Sequence, residues 1–214
     1  MWFLRYSLYL IVFIGFSVVH AGSYEDFFRA IKQDSASTIQ SLLGLGFDPN
    51  TLDSNGQFGL ILAVRDSSFK VATVLISHPG TRVEVRTSQD ESPLMLAAFK
   101  GALELCEQLI ARDADINKPG WTPLHYAATG GNEEVIGLLL KHHAYIDAES
   151  PNQSTPLMMA AMYGSTAAVR RLLDAGADPR IKNALGYDAR DFARQGQRPD
   201  AVALLDKFLL DHPR

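Results

Sequence analysis

The sequence predicts an all-α solenoid of about six helix-turn-helix units joined by short β-hairpin loops. Two observations carry that prediction. The first is a motif that returns as Ser92-Pro93-Leu94-Met95-Leu96-Ala97-Ala98, Thr122-Pro123-Leu124-His125-Tyr126-Ala127-Ala128 and Thr155-Pro156-Leu157-Met158-Met159-Ala160-Ala161. Weaker copies lie at Phe58-Gly59-Leu60-Ile61-Leu62-Ala63 and Asp188-Ala189-Arg190-Asp191-Phe192-Ala193. The second is register: Ala30, Ala63, Ala97, Ala127, Ala160 and Ala193 are spaced by 33, 34, 30, 33 and 33 residues. Self-similarity at such a period marks a stack of small units rather than one globular core.

The chain opens on residues 1–21, which hold sixteen apolar residues and a single charge, Arg5. A short positive stretch, the apolar run Tyr6 to Val19, and the closing Val19-His20-Ala21 form the three-part layout of a secretory signal, with cleavage expected after Ala21. The alternative is an uncleaved membrane anchor, although a bilayer span takes roughly 17 to 25 apolar residues. No cysteine follows the run, so a bacterial lipoprotein is not expected. Units then follow at about 23–53, 54–86, 87–117, 118–149, 150–183 and 184–210.

The fourth unit shows the physics of each one. Thr122 is suited to cap a helix, and Pro123 sits at the first helical position, where its missing donor costs nothing. Leu124, Ala127 and Ala128 recur at helical spacing, and the alanines permit close approach of neighbouring helices. Gly130-Gly131 ends that helix. A second apolar-periodic stretch runs through Val135, Ile136, Leu138, Leu139 and Leu140. Such helices are too short to persist alone, so stability must come from stacking on neighbours. Gly46 and Gly176 fill the left-handed position after the second helices, and Asp113 and His143 hold it in the middle units. The polar first unit and the Arg198-Pro199-Asp200 start of the last helix, expected to end near Phe208, fit caps at either end of a whole array.

At these residues the chain resembles the ankyrin-repeat family. Gly120-Trp121-Thr122-Pro123-Leu124-His125-Tyr126-Ala127-Ala128 and Val169-Arg170-Arg171-Leu172-Leu173-Asp174-Ala175-Gly176-Ala177-Asp178-Pro179 carry the likeness. It extends over about six units from Ser23 to Phe208. The resemblance implies a protein that binds another protein through its hairpin tips and the exposed side of its first helices. It also implies that His125 is structural, bonding near the threonine and the adjoining loop.

Composition narrows the function further. With 20 basic against 24 acidic residues and a net charge of −4, the chain has no Lys/Arg run suited to a polyphosphate, and nucleic acid is not an expected partner. There is no phosphate-binding glycine loop, no Gly-x-Ser-x-Gly elbow and no metal-ligand spacing. No enzyme activity, cofactor, metal or small-molecule substrate is therefore expected. The lone Cys106 falls on a helical pattern and reads as a small buried hydrophobe. His142-His143 reads as a helix end, not a metal pair. Asn152-Gln153-Ser154 is a glycosylation sequon that matters only in a eukaryotic secretory pathway.

The family's variable positions, carried onto this chain, give the candidate partner-binding residues Arg65, Phe99, Lys100, Trp121, Met162, Tyr163 and Tyr187. Phe99, Met162 and Tyr163 stand out as large apolar groups expected on one ridge. Trp121 is also explained by scaffold packing, since tryptophan commonly precedes this motif in the family. The 30-residue step shortens the fourth hairpin between Asn117 and Gly120, which could open a notch beside Trp121. The partner is an unidentified protein, and membrane contact is expected only if the amino-terminal segment is retained. Exported relatives in Gram-negative bacteria favour the periplasm, or secretion. The function expected is a non-catalytic interaction module outside the cytoplasm. The alternatives are an accessory or anchoring subunit of a periplasmic enzyme, or an immunity or inhibitor protein that neutralises a toxin.

Overall fold

A computed structural model describes residues 22–213, so the expected signal segment 1–21 lies outside the described residues. The chain divides into two units, Met1–Arg82 and Val83–Arg214. Among the described residues twelve helices form the six expected pairs.

The first unit contains α1 (22–32), α2 (Ala36–Gly44), α3 (Gly59–Arg65) and α4 (Phe69–Ser77). Its core is Phe27, Ala30, Ile31, Ile39, Leu60, Ile61, Val64, Val71, Leu75 and Ile76, each nearly or wholly excluded from water. Gly59 is required by this packing, because a Cβ there would sit 2.6 Å from the Phe27 ring. Phe27 in turn stacks on Phe47 with centroids 4.8 Å apart. Ser68 Oγ donates to the Ile31 carbonyl at 2.6 Å, tying the two helix pairs together.

The second unit contains α5 (Pro93–Lys100), α6 (Leu103–Ile110), α7 (Pro123–Gly130), α8 (Glu133–Lys141), α9 (Pro156–Met162), α10 (Thr166–Asp174), α11 (Ala189–Gln195) and α12 (Pro199–Asp211). The odd-numbered helices pack in a row, α5 on α7, α7 on α9 and α9 on α11, and the even-numbered helices form a parallel row behind them. Each first helix starts in the same way. Met95 N–H donates to Ser92 Oγ at 3.2 Å, His125 N–H to Thr122 Oγ1 at 3.4 Å, Met158 N–H to Thr155 Oγ1 at 3.4 Å, and Asp191 N–H to Asp188 Oδ1 at 3.1 Å. The third helical side chain returns the bond to the cap's own amide, through sulfur in Met95 and Met158, Nδ1 in His125 and a carboxylate in Asp191. Close approach within the first row depends on small residues: a Cβ on Gly164 would fall 2.2 Å from the Ala128 carbonyl oxygen. The last helix runs to Asp211, three residues beyond the expected end at Phe208.

The loops depart from expectation. β pairing is confined, among the described residues, to an isolated antiparallel bridge between Leu52 and Phe58. The tips are five-residue turns in which the first amide donates to the last carbonyl, Asp53 to Gln57, Thr87 to Glu91, Ser150 to Ser154 and Asn183 to Tyr187, at 2.9–3.0 Å, and the fourth amide donates back to the first carbonyl at 2.7–3.0 Å. The first side chain of each turn explains why no ladder extends. Asp53 Oδ1, Thr87 Oγ1 and Asn183 Oδ1 each accept two amides of their own turn, and Ser150 Oγ accepts one. Local side-chain acceptors thus replace strand partners. Asp113 and His143 do take positive φ, at 60° and 64°, alongside Gly46 at 87° and Gly176 at 99°.

Candidate functional site

The residues expected to bind a partner fall in both units. In the first, Arg65 ends α3, half-buried, and donates from Nη1 to Gln57 Oε1 at 2.5 Å, so its own finger engages it. The others belong to the second unit. Phe99 and Lys100 close α5, and Met162 and Tyr163 close α9. Phe99 is 48% exposed and Tyr163 56%, while Met162 and Trp121 are half-buried. Tyr187, 42% exposed, stands directly before the cap of α11, beside Leu185 at 74%.

Phe99 and the Met162–Tyr163 pair, expected on one ridge, do not adjoin. Helix α7 lies between α5 and α9, and at the matching turn it offers only Thr129 and Gly130. With helices packing at about 8–10 Å, the two aromatic groups stand roughly two helix spacings apart. Tyr126, which sequence reasoning missed, fills part of the gap. Its ring meets Phe99 edge-on with centroids 6.5 Å apart, and its hydroxyl donates to Glu91 Oε1 at 3.1 Å. Burial, then the adjacent Glu91 carboxylate, push the Tyr126 hydroxyl above the usual phenol range. The signal was available: Tyr126 occupies the motif position held elsewhere by Leu96 and Met159.

Trp121 packs edge-on against His125, with centroids 5.3 Å apart. The imidazole itself is wholly buried. Nδ1 accepts from the Thr122 amide at 3.2 Å, which leaves Nε2–H to donate to the Ser154 carbonyl at 2.9 Å. Burial holds its pKa down to about 4, so the ring is a neutral structural tie between consecutive fingers.

The shortened fourth finger is not left open beside Trp121. Lys118 has a side chain only 8% exposed, and its ammonium lies 2.5 Å from Asp90 Oδ2 on the preceding finger. The same Nζ donates to the Trp121 carbonyl at 3.2 Å. This bond holds the Asp90 carboxyl below the usual aspartate range. On the other side, Gly120 adopts φ +78° and backs onto Pro151, which a Cβ would meet at 3.6 Å.

A second set of residues was missed, the joints that seat each loop on its predecessor. In the first unit Asn50 accepts from the Arg82 amide and donates to the Gly80 carbonyl, both at 2.8 Å. In the second, Glu84 Oε2 accepts from the Asp115 amide at 2.9 Å. Asn117 accepts from the Tyr145 amide at 2.9 Å and donates to the His143 carbonyl at 2.8 Å. Asp147 accepts from the Asp178 amide at 3.2 Å, and Arg180 reaches the His212 carbonyl. The sequence signal was a polar residue at one fixed place per unit, obscured because its chemistry changes each time.

Cys106 is wholly buried, and burial pushes its thiol up to about 12, which removes thiolate chemistry at neutral pH. Among the described residues no group of three or more His, Cys, Asp or Glu is placed to hold a metal ion. No described helix is long and apolar enough to cross a membrane.

Comparison with known proteins follows the same repeat. The family model for ankyrin repeats in three copies matches residues 27–119 and 94–183. The chain is 30% identical over 161 residues to the nuclear factor NF-kappa-B p105 subunit of Gallus gallus, covering 72% of this chain and 16% of that protein. It is 29% identical over 199 residues to transient receptor potential cation channel subfamily A member 1 of Homo sapiens, covering 86% and 18%. Against neurogenic locus notch homolog protein 1 of Homo sapiens the identity is 32% over 184 residues, covering 85% and 7%. The chain thus spans less than a fifth of the length of these relatives.

Proposed function

The chain belongs to the ankyrin-repeat family, and from that premise we propose that it is an exported, non-catalytic module that grips one partner protein through its second unit. Ankyrin repeats serve as protein-protein interaction modules and are typically non-catalytic. The contacting residues in this reading are Phe99, Lys100, Trp121, Met162, Tyr163 and Tyr187, with Tyr126 added by its contact to Phe99. Arg65 belongs to the first unit and stands as a separate candidate there.

One observation carries the reading. Two first-row helices of the second unit end on aromatic side chains that stay in water, Phe99 at 48% and Tyr163 at 56% exposure, and Tyr187 at 42% stands just before the cap of a third, α11. Aromatic side chains of this kind supply most of the energy of protein interfaces once a partner desolvates them. Export rests on the layout of residues 1–21, and the periplasm on the resemblance to exported ankyrin-repeat proteins of Gram-negative bacteria.

The test is affinity capture from a periplasmic extract with the wild-type protein and a Phe99→Ala/Tyr163→Ala variant. A single protein retained by the wild type and lost by the variant is the expected outcome. Equal retention by both would remove the ridge from the account.

A further inference from the structure

Asn132 stands at the amino-terminal cap of α8, yet its side chain makes no capping bond to that helix. A cap side chain ordinarily accepts an amide of its own first turn. Here the carboxamide reaches back one repeat instead: Nδ2 donates to the Phe99 carbonyl at 2.9 Å and to the Ala98 carbonyl at 3.0 Å. With two carbonyls as partners, the group that faces them is the amide nitrogen. Phe99 needs such a donor. The amides of Ala102 and Leu103, which would serve it in a continued helix, go to the Ala97 and Gly101 carbonyls, because Gly101 turns the chain with φ +69°. The Phe99 carbonyl is one of the acceptors that a helix end leaves without an amide, and Asn132 supplies the missing bond.

We propose that Asn132 is a positioning residue that holds Phe99 in the pose presented to a partner, and so sets the affinity of that contact. The proposal rests on the reading of Phe99 as a contact residue. Two glycines make room for the clasp. A Cβ on Gly130 would lie 2.2 Å from the Phe99 oxygen and 2.5 Å from Asn132 Nδ2, so the bond forms only because residue 130 has no side chain. A Cβ on Gly101 would lie 2.5 Å from Asn132 Oδ1, so the turn that ends α5 closes against the other end of the carboxamide. The Phe99 ring meets Tyr126 edge-on with centroids 6.5 Å apart, and Tyr126 is itself bonded to Glu91. Both the carbonyl and the ring of Phe99 are therefore held by the repeat that follows it.

Phe99 lies in the last turn of α5, where helices fray. A side chain already ordered there loses less freedom when a partner arrives, which strengthens binding without adding a contact. The next joint shows the contrast. Ser165, at the cap of α10, accepts from the Ala168 amide of its own helix at 3.0 Å and donates to the Gly131 carbonyl at 2.9 Å. It caps its own helix, and the carbonyl it takes lies past the end of α7. Asn132 forgoes its own cap, and one of the carbonyls it gains belongs to the residue that bears the exposed ring.

Asn132→Asp is the decisive variant. Aspartate caps a helix as well as asparagine does and suits its amino-terminal end, but its carboxylate has no proton to donate to Phe99. Nuclear magnetic resonance of the wild type should show a contact between the Phe99 and Tyr126 rings. Asn132→Asp should lose it and shift the Phe99 carbonyl carbon, and Ser165→Ala should keep both signals. The protein that the wild type retains from a periplasmic extract should bind Asn132→Asp about threefold to tenfold more weakly, the cost of ordering one side chain, at an unchanged melting temperature. Ring contact and carbonyl shift unchanged in Asn132→Asp would overturn the proposal, as would unaltered binding where Phe99→Ala has lost it. A fall in binding that merely follows a fall in melting temperature would make Asn132 a scaffold residue and overturn it too. Binding that survives Phe99→Ala overturns the reading of Phe99 as a contact, a result told apart from the others because Asn132→Asp still loses the ring contact.

Discussion

Lys118 and Asp90 join across consecutive fingers with Nζ and Oδ2 2.5 Å apart. The pair stands where the fourth finger lacks three residues, and it ties that finger to the one before it. The apolar stem of the lysine is sheltered while its head is neutralised.

Lys118→Ala should therefore cost about 1 kcal/mol, most of it lost stem packing, since ion pairs with an exposed partner contribute only a few tenths. Urea denaturation measures this, and Lys118→Met should recover most of the loss. The Asp90 contribution has a defined pH window. Its pKa is depressed, so the contribution is present above the ordinary aspartate value and fades as pH falls through the lowered one.

Leu139 on α8 is wholly buried, in the row that α6, α8 and α10 form. Leu139→Ala should cost about 2–5 kcal/mol, as truncation of a buried leucine does. A near-neutral midpoint in chemical denaturation would mean that the fourth pair does not stack as described.

Gly164 sits where a Cβ would be 2.2 Å from the Ala128 carbonyl oxygen and 2.9 Å from the Ala160 Cα. Both obstacles are backbone and cannot swing aside. Gly164→Ala should destabilise by about 1–3 kcal/mol through overpacking, measured in the same denaturation series.

His125 predicts a slope in stability with pH. Its pKa is held at about 4 against an ordinary 6.5, so the unfolded chain binds a proton that the folded chain refuses. The stabilising contribution is complete above pH 6.5 and is lost as pH falls toward 4. Melting temperature should decline over that window in the wild type and decline less in His125→Gln. A midpoint for His125 near 6.5 by nuclear magnetic resonance would contradict the buried tie.

The sequence carried the scaffold well, because the Thr-Pro-Leu motif, the alanine register and the leucine spacing each repeat with the fold's own period. It also marked the left-handed positions at Asp113 and His143, where residue type and backbone demand agree. It misled at the fingers, where Asp53, Thr87, Ser150 and Asn183 satisfy the turn amides locally and no strand ladder develops. The surface was harder still. Phe99 and Tyr163 share a repeat position, or nearly so, yet α7 interposes Thr129 and Gly130. The Tyr126 bond to Glu91 spans 35 residues, so only the stacking of units brings the two together. The Lys118 contact to Asp90 was not legible either, because sequence spacing counts backbone and takes no account of what a side chain reaches.

The central claim is that the exposed aromatic residues serve a partner and not the scaffold. Thermal unfolding of Phe99→Ala/Tyr163→Ala/Tyr187→Ala tests it most directly. The account predicts a melting temperature within about 5 °C of the wild type, since changes at exposed positions usually fall within ±0.5 kcal/mol each and 1 kcal/mol shifts a chain of this size by about 2–4 °C. A fall of roughly 8 °C or more, the size that several kcal/mol of lost core packing produces, would show that these rings hold the repeats together and would contradict the claim.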